Sequence, residues 1–274
     1  MSRRRTDGVD WYFERGGEGP RLLMVHGTGA STHSWRGLIP SLSSTHEVML
    51  VDLPGHGRSG PCQEPSLPRV AETLGALLRD EGFEPKVVVG HSAGAAILLR
   101  MAADGLIAPD VAVSFNGAFL PFGGRWGPSF WSPMTRWLVQ SGLPGLFARR
   151  CVDEAGVRRL VERTGSRLDD EGVEAYRQLL VRPEHVEGAL GMMAHWDLRP
   201  LWSVLSSLRT PVFLVAAQDD QTVSPSESAS VADQLPLARF VRWPSFGHLA
   251  HEEDPAGASA YIREAERWAE SELN

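Results

Sequence analysis

The pentapeptide Gly90-His91-Ser92-Ala93-Gly94 carries the strongest chemical signal in the chain. It follows the apolar run 86–90 and opens an alanine-rich stretch, 93–104, so it reads as a turn between a strand and a helix. Glycines two residues to either side of the serine relieve the crowding of a very tight turn. A serine held there stands at a helix N-terminus, where the dipole favours developing negative charge. Its hydroxyl becomes a nucleophile at neutral pH only with a base beside it and an acid to orient that base. Both follow downstream. Asp219 and Asp220 come directly after the apolar run 212–216, and His248 follows Gly247 shortly after the run 239–243. Serine, then acid, then histidine is the chain order found where a serine sits on such an elbow. Placement of all three after strands would gather them at one edge of a parallel sheet.

Within that constellation two choices arise. Asp220 is the expected acid, because Asp-x-x-Val with a proline close behind is the usual acid-loop spacing. Asp219 is expected as a solvated turn or loop-capping residue. His248 is preferred to His251, since Gly247 lets the chain turn toward the serine. His251 with Glu252 and Glu253 is expected as a solvated polar turn, and no metal or other cofactor is expected. Asn116, at the end of the run 111–115, occupies an alternative acid position but cannot stabilise an imidazolium as a carboxylate does. The expected catalytic residues are thus Ser92, Asp220 and His248. An oxyanion hole needs two N–H donors. The backbone of Ala93 is one, and Thr28, in His26-Gly27-Thr28-Gly29-Ala30, is the candidate for the other. His26 and His91 are expected as structural or pocket-wall histidines. The segment 52–59 (DLPGHGRS) is assigned a structural turn, and His185 and His195 surface or core positions.

These residues need a scaffold. Runs 21–26, 47–51, 86–90, 111–115, 212–216 and 239–243 read as strands, several of them unbroken apolar runs as in a sheet covered on both faces. Residues 11–14 read as an antiparallel edge strand. Helices are expected over 67–81, 93–104, 226–234 and 256–272, with Pro68 tolerated in a first turn. The alternation implies an α/β fold: a mostly parallel central sheet flanked by helices. It breaks between the last two parallel strands and those before them, so the expected core is 1–116 with 211–274, and 117–210 is a helical cap insertion. Five of the nine tryptophans fall in that insertion. Phe122, Trp126, Trp131, Trp137, Met193 and Trp196 are candidates to line an apolar pocket there.

Composition narrows the function classes. The 274 residues are 42% hydrophobic and 22% charged, with net charge −7 and a pI of about 5.7. A net negative chain is a poor partner for nucleic acid or an anionic membrane. Residues 3–5 are basic but lead into Thr6-Asp7-Gly8 and not into an apolar stretch, so no secretory signal is expected. No run reaches the roughly 20 apolar residues of a spanning helix. Cys62 and Cys151 read as ordinary thiols and not as a disulfide framework. A cytoplasmic protein acting on a small apolar molecule is expected.

Taken together, HGTGAS, DLPGHGRS, GHSAGA, the Asp219-Asp220 loop and GHLAHEE resemble the α/β-hydrolase superfamily across nearly the whole chain. Residues 26–38, 90–100, 161–172 and 186–198 further resemble the magnesium-chelatase accessory proteins of bacteriochlorophyll biosynthesis, the BchO group. That resemblance implies a role near magnesium insertion into protoporphyrin in a photosynthetic bacterium, and contact with magnesium chelatase. A tetrapyrrole would suit a cap rich in Trp, Phe and Met, with Arg125, Arg136, Arg149 and Arg150 as candidates to meet its carboxylates. Two alternatives to an esterase stay open: a porphyrin-binding or chelatase-assisting protein that does not use the serine, and carbon–carbon hydrolysis or perhydrolase chemistry on the same residues. Dehalogenase and epoxide-hydrolase chemistry would need an aspartate at Ser92.

Overall fold

The computed structural model describes residues 1–120 and 153–273. Eight strands form a single sheet: β1 (Ser2–Thr6), β2 (Val9–Gly16), β3 (Arg21–Val25), β4 (Glu47–Val51), β5 (Val87–His91), β6 (Val111–Phe115), β7 (Val212–Ala217) and β8 (Ala238–Trp243). Their spatial order is β1-β2-β4-β3-β5-β6-β7-β8. β2 runs antiparallel to β1 and β4, and all pairs from β4 through β8 are parallel.

The apolar strands are buried on both faces because successive side chains feed two different cores. Leu23, Val25, Met49, Val51 and Val88 point to one, covered by α1 (Leu67–Asp80) and α2 (Ala93–Ala103). Leu22, Met24, Val48, Leu50 and Val89 point to the other. The long C-terminal helix covers that face with Ala258, Ile262, Ala265 and Ala269, spaced four, three and four residues apart, which is one stripe of a helix.

The expected edge strand 11–14 is longer and lies one place further in. Asp7 (φ 50°) and Gly8 (φ 81°) both take the left-handed conformation, the geometry of a two-residue hairpin turn. The basic segment before them is thereby folded back as β1, the true edge, where charged side chains discourage edge-to-edge pairing.

Between β6 and β7 lie α3 (Glu154–Glu162), α4 (Asp170–Leu180) and α5 (Pro183–Ala194), then short turns at Arg199–Trp202 and Leu205–Ser207. Asp153 and Asp169 cap α3 and α4 by accepting from Gly156 N at 2.8 Å and Gly172 N at 2.7 Å. Pro183 opens α5, where its missing N–H costs nothing. Among the described residues, no helix is long and apolar enough to cross a membrane.

Candidate active site

Ser92 sits between β5 and α2 with φ 50° and ψ −117°, a conformation that strains any residue with a side chain. The neighbours enforce it. A Cβ on Gly90 would strike the backbone of Ala95, and one on Gly94 would strike the carbonyls of Val25 and His26. The Ser92 N–H donates to the Phe115 carbonyl at 3.1 Å, and its own carbonyl accepts from Ala118 N at 3.1 Å. Ala93 opens α2, where first-turn N–H groups lack an intrahelical acceptor. Gly27 lies so close that a Cβ there would come within 3.0 Å of the Ser92 Cβ, which brings the 26–30 loop against the elbow. The Thr28 hydroxyl donates to Met192 Sδ on α5 at 3.7 Å.

Asp220 follows β7. Its Oδ1 accepts from Thr222 N at 2.7 Å and Val223 N at 2.9 Å, so the backbone orients the carboxylate. Its Oδ2 meets His248 Nδ1 at 2.7 Å, and both residues are buried, 8% and 7% exposed. A carboxylate at Nδ1 holds the proton there and leaves Nε2 as the basic nitrogen. Asp219, by contrast, is exposed.

The loop carrying His248 is fastened to the elbow through its carbonyls. His91 Nε2 donates to the His248 carbonyl at 2.9 Å, and Asn116 Nδ2 donates to the Gly247 and His248 carbonyls at 3.0 and 2.8 Å. Asn116 holds φ 48° and accepts from Ala217 N at 2.7 Å. The alternative acid position is therefore a cross-brace between β6, β7 and the histidine loop.

Of the two readings open for His26 and His91, structural or pocket-wall, the structural one fits, and the solvated turn expected at His251 is corrected. His26 is fully buried, with Nε2 accepting from Leu53 N at 2.9 Å and Nδ1 against the Gly27 carbonyl at 2.7 Å. Burial pushes its pKa down to about 3, so it is a neutral bracket between two loops with no surface to offer a pocket. His91 is buried too, and burial pushes it well below the ordinary range. The expected solvated turn at His251 and Glu252 is in fact sealed, because Trp35 and Phe115 pack around the imidazole. The Glu252 carboxyl accepts from Ser34 Oγ at 2.6 Å and Tyr176 Oη at 2.7 Å, and burial raises its pKa to about 7.

Of the pocket candidates, Phe122, Trp126, Trp131 and Trp137 lie outside the described residues, as do Arg125, Arg136, Arg149 and Arg150. Met193 and Trp196 are half-buried, and Trp196 packs against the main core. Met192, which the sequence marks only as one of the apolar residues of the insertion, makes the contact with Thr28, and His185, expected at a surface or core position, is buried. His185 joins three elements: Nδ1 accepts from Gly57 N at 3.0 Å, and Nε2 donates to the Gly29 carbonyl at 3.2 Å. Beside it Gly188 packs on Gly55 without room for a Cβ on either. Asp52, in the turn read as structural, accepts from Thr32 N and Arg58 N, each at 2.7 Å. Among the described residues, no three His, Cys, Asp or Glu side chains are grouped to hold a metal.

A parallel sheet with a strained serine elbow at one strand end and a buried Asp–His pair at two others defines a hydrolase-type scaffold. The alpha/beta hydrolase family matches residues 22–260, and the chain belongs to that family. It is 41% identical over 271 residues to the magnesium-chelatase 30 kDa subunit of Rhodobacter capsulatus, covering 95% of this chain and 92% of that protein. It is 28% identical to a pimeloyl-[acyl-carrier protein] methyl ester esterase of Nitrosomonas europaea, over 86% of this chain and 92% of that one. An alpha/beta hydrolase fold protein from Burkholderia ambifaria superposes with a TM-score of 0.80 at 26% identity, over 96% and 97% of the two chains.

Proposed function

We propose that this protein is a serine hydrolase acting on an ester or related acyl group in magnesium-tetrapyrrole, specifically bacteriochlorophyll, biosynthesis, in association with magnesium chelatase. The observation that carries the hydrolase reading is the buried 2.7 Å pair of His248 Nδ1 and Asp220 Oδ2, reached by the loop that His91, next to Ser92, holds. In this reading Ser92 Oγ attacks the substrate carbonyl carbon and its proton passes to His248 Nε2. The N–H groups of Ala93 and Thr28 stabilise the resulting oxyanion. Collapse expels the alcohol, which takes the proton from His248 and leaves an acyl-serine. Water then attacks that acyl group, gives a proton to His248, and releases the acid while Ser92 regains its hydrogen. The relative in Rhodobacter capsulatus, named as a magnesium-chelatase subunit, supports the pathway and the partner. Trp- and Phe-rich residues of the cap suit a flat macrocycle as substrate.

That same relative favours a second reading, a porphyrin-binding chelatase partner that does not use the serine. One experiment separates them: fluorophosphonate labelling of the protein and of Ser92→Ala, beside a protoporphyrin titration of both. Labelling lost in Ser92→Ala supports the hydrolase. No labelling of the parent, with equal porphyrin binding by both proteins, supports the carrier.

A further inference from the structure

The loop that holds His248 has two sets of backbone groups. Its carbonyls are bound by the core, as described. Its N–H groups turn the other way, to the insertion: His248 N donates to the Thr164 carbonyl at 3.1 Å, and Leu249 N donates to Ser166 Oγ at 2.7 Å. The Thr164 carbonyl is shared. It also accepts from Gln221 N, at 3.1 Å, in the loop that holds Asp220. One carbonyl of the insertion thus joins the residue after the acid to the histidine itself.

Packing repeats the pattern. Gly165 takes φ 85°, and a Cβ there would strike the carbonyl of Asp219, while one on Gly247 would strike the backbone of Gly165. Residues 164–166 therefore lie wedged between both loops, at backbone contact with each. Glu253 closes the clasp by accepting from Gly247 N at 3.0 Å and from Arg167 N at 2.9 Å. The Leu249 side chain, from the histidine loop, is buried among Val157, Val161, Leu168 and Val173 of the insertion.

We infer that residues 164–166 of the insertion are a positioning strap that sets the acid and histidine loops at the separation their hydrogen bond requires, so that the insertion is part of the catalytic apparatus as well as a cover for it. The inference rests on the hydrolase reading of Ser92, Asp220 and His248. Two loops that leave different strand ends and are 28 residues apart along the chain have no covalent reason to stay in register. A shared acceptor with a wedged backbone supplies one. Misplacing a catalytic group by about 1 Å costs on the order of 10²-fold in rate.

Ser166→Ala removes the acceptor of Leu249 N, Gly165→Ala drives a methyl at the Asp219 carbonyl, and exposed Arg163→Ala is the control. Each is compared with the parent for kcat and KM on 4-nitrophenyl acetate across pH, for fluorophosphonate labelling rate, and for the far-downfield ¹H NMR signal of the His248 Nδ1 proton. The titratable groups facing His248 and its loop are Asp220, with Glu227 near it, and His91, His251 and Glu253. Ser166→Ala is expected to lower kcat roughly tenfold, and Gly165→Ala roughly a hundredfold. In both, KM stays within about twofold, the acidic limb of kcat/KM moves and the Nδ1 signal broadens or shifts. Arg163→Ala matches the parent. Folded Ser166→Ala and Gly165→Ala proteins with an unmoved limb and an unchanged Nδ1 signal would overturn the strap. Should Gly165→Ala not fold, Ser166→Ala alone decides. A parent that neither turns over the ester nor labels sinks the hydrolase reading instead, and the Nδ1 signal of the variants still decides the strap.

Discussion

Around Ser92 the fastenings come from strand ends and from the first residues of the insertion, since Phe115 closes β6 and Ala118 follows it by three residues. Phe115 and Ala118 hold its backbone, Gly90 and Gly94 admit the turn, and the packing partners are Ala95 and the β3 end. Around Asp220 and His248 the fastenings are divided: Asn116 and His91 act from the core, while Thr164 and Ser166 act from the insertion. The difference follows from chain distance. A strand and the helix directly after it, packed against the neighbouring strand ends, can hold a single residue in a strained turn. Two loops from separate strands need a third body to fix their spacing. In this molecule residues 164–166, inserted before β7, meet both loops and are inferred to be that body.

The largest effect tests the serine side. Ser92→Ala is expected to lower ester turnover by about 10⁴-fold or more, with an unchanged thermal melt, because no other group supplies the nucleophile. Asp220→Asn tests the divided side: it is expected to cost on the order of 10³–10⁴ in kcat by allowing the wrong imidazole tautomer. Its binding of substrate, read as KM, should change little. Gly94→Ala should damage the elbow through packing and not through chemistry. A methyl pressed on the Val25 and His26 carbonyls is expected to cost about 1–3 kcal/mol in a denaturant melt. His185→Ala probes the seam between α5 and the loops at Gly29 and Gly57. It leaves Gly57 N and the Gly29 carbonyl without their partner and is expected to destabilise by about 1–2 kcal/mol, again by denaturant melt.

The smallest effect is a pH dependence. Burial raises Glu252 to about 7, against an unfolded value of about 4.3. Between those values the folded state holds a proton that the unfolded state has lost, so this residue lowers stability as pH rises through the window. His26, His33 and His251, held down to about 3 by burial, act in the opposite sense, raising stability as pH climbs toward 6.5. The informative quantity is therefore variant minus parent. Glu252→Gln, facing Ser34, Tyr176, Arg36, Asp169 and His251, is expected to gain about 1 kcal/mol relative to the parent between pH 5 and 8, read from parallel melts. A flat difference would mean that Glu252 stays ionised throughout.

Much of this was legible in order and spacing. The strand runs, the glycine-flanked serine and the downstream Asp and His are local patterns, each decided by residues within a few positions of one another, and each of the three residues follows a strand of the sheet. The Asp7-Gly8 turn is equally legible, since that dipeptide is a hairpin signal, and the basic segment before it pairs with β2 as an edge strand that its charge does not announce. His251-Glu252 misled for a different reason. Polar residues in a row imply solvent only when nothing lies over them, and here Trp35, Tyr176 and Phe115 from three distant segments do.

The sequence by itself determined which chemistry is available: a serine on a turn that only glycines permit, and an acid and a base each just past a strand, all consequences of short-range sterics and of side-chain periodicity. Only the tertiary structure decided what holds those groups. The shared Thr164 carbonyl, the His185 bridge and the Asn116 brace are backbone or long-range contacts between segments tens of residues apart, and one-dimensional patterns carry no record of which carbonyl will face which N–H once the chain has packed.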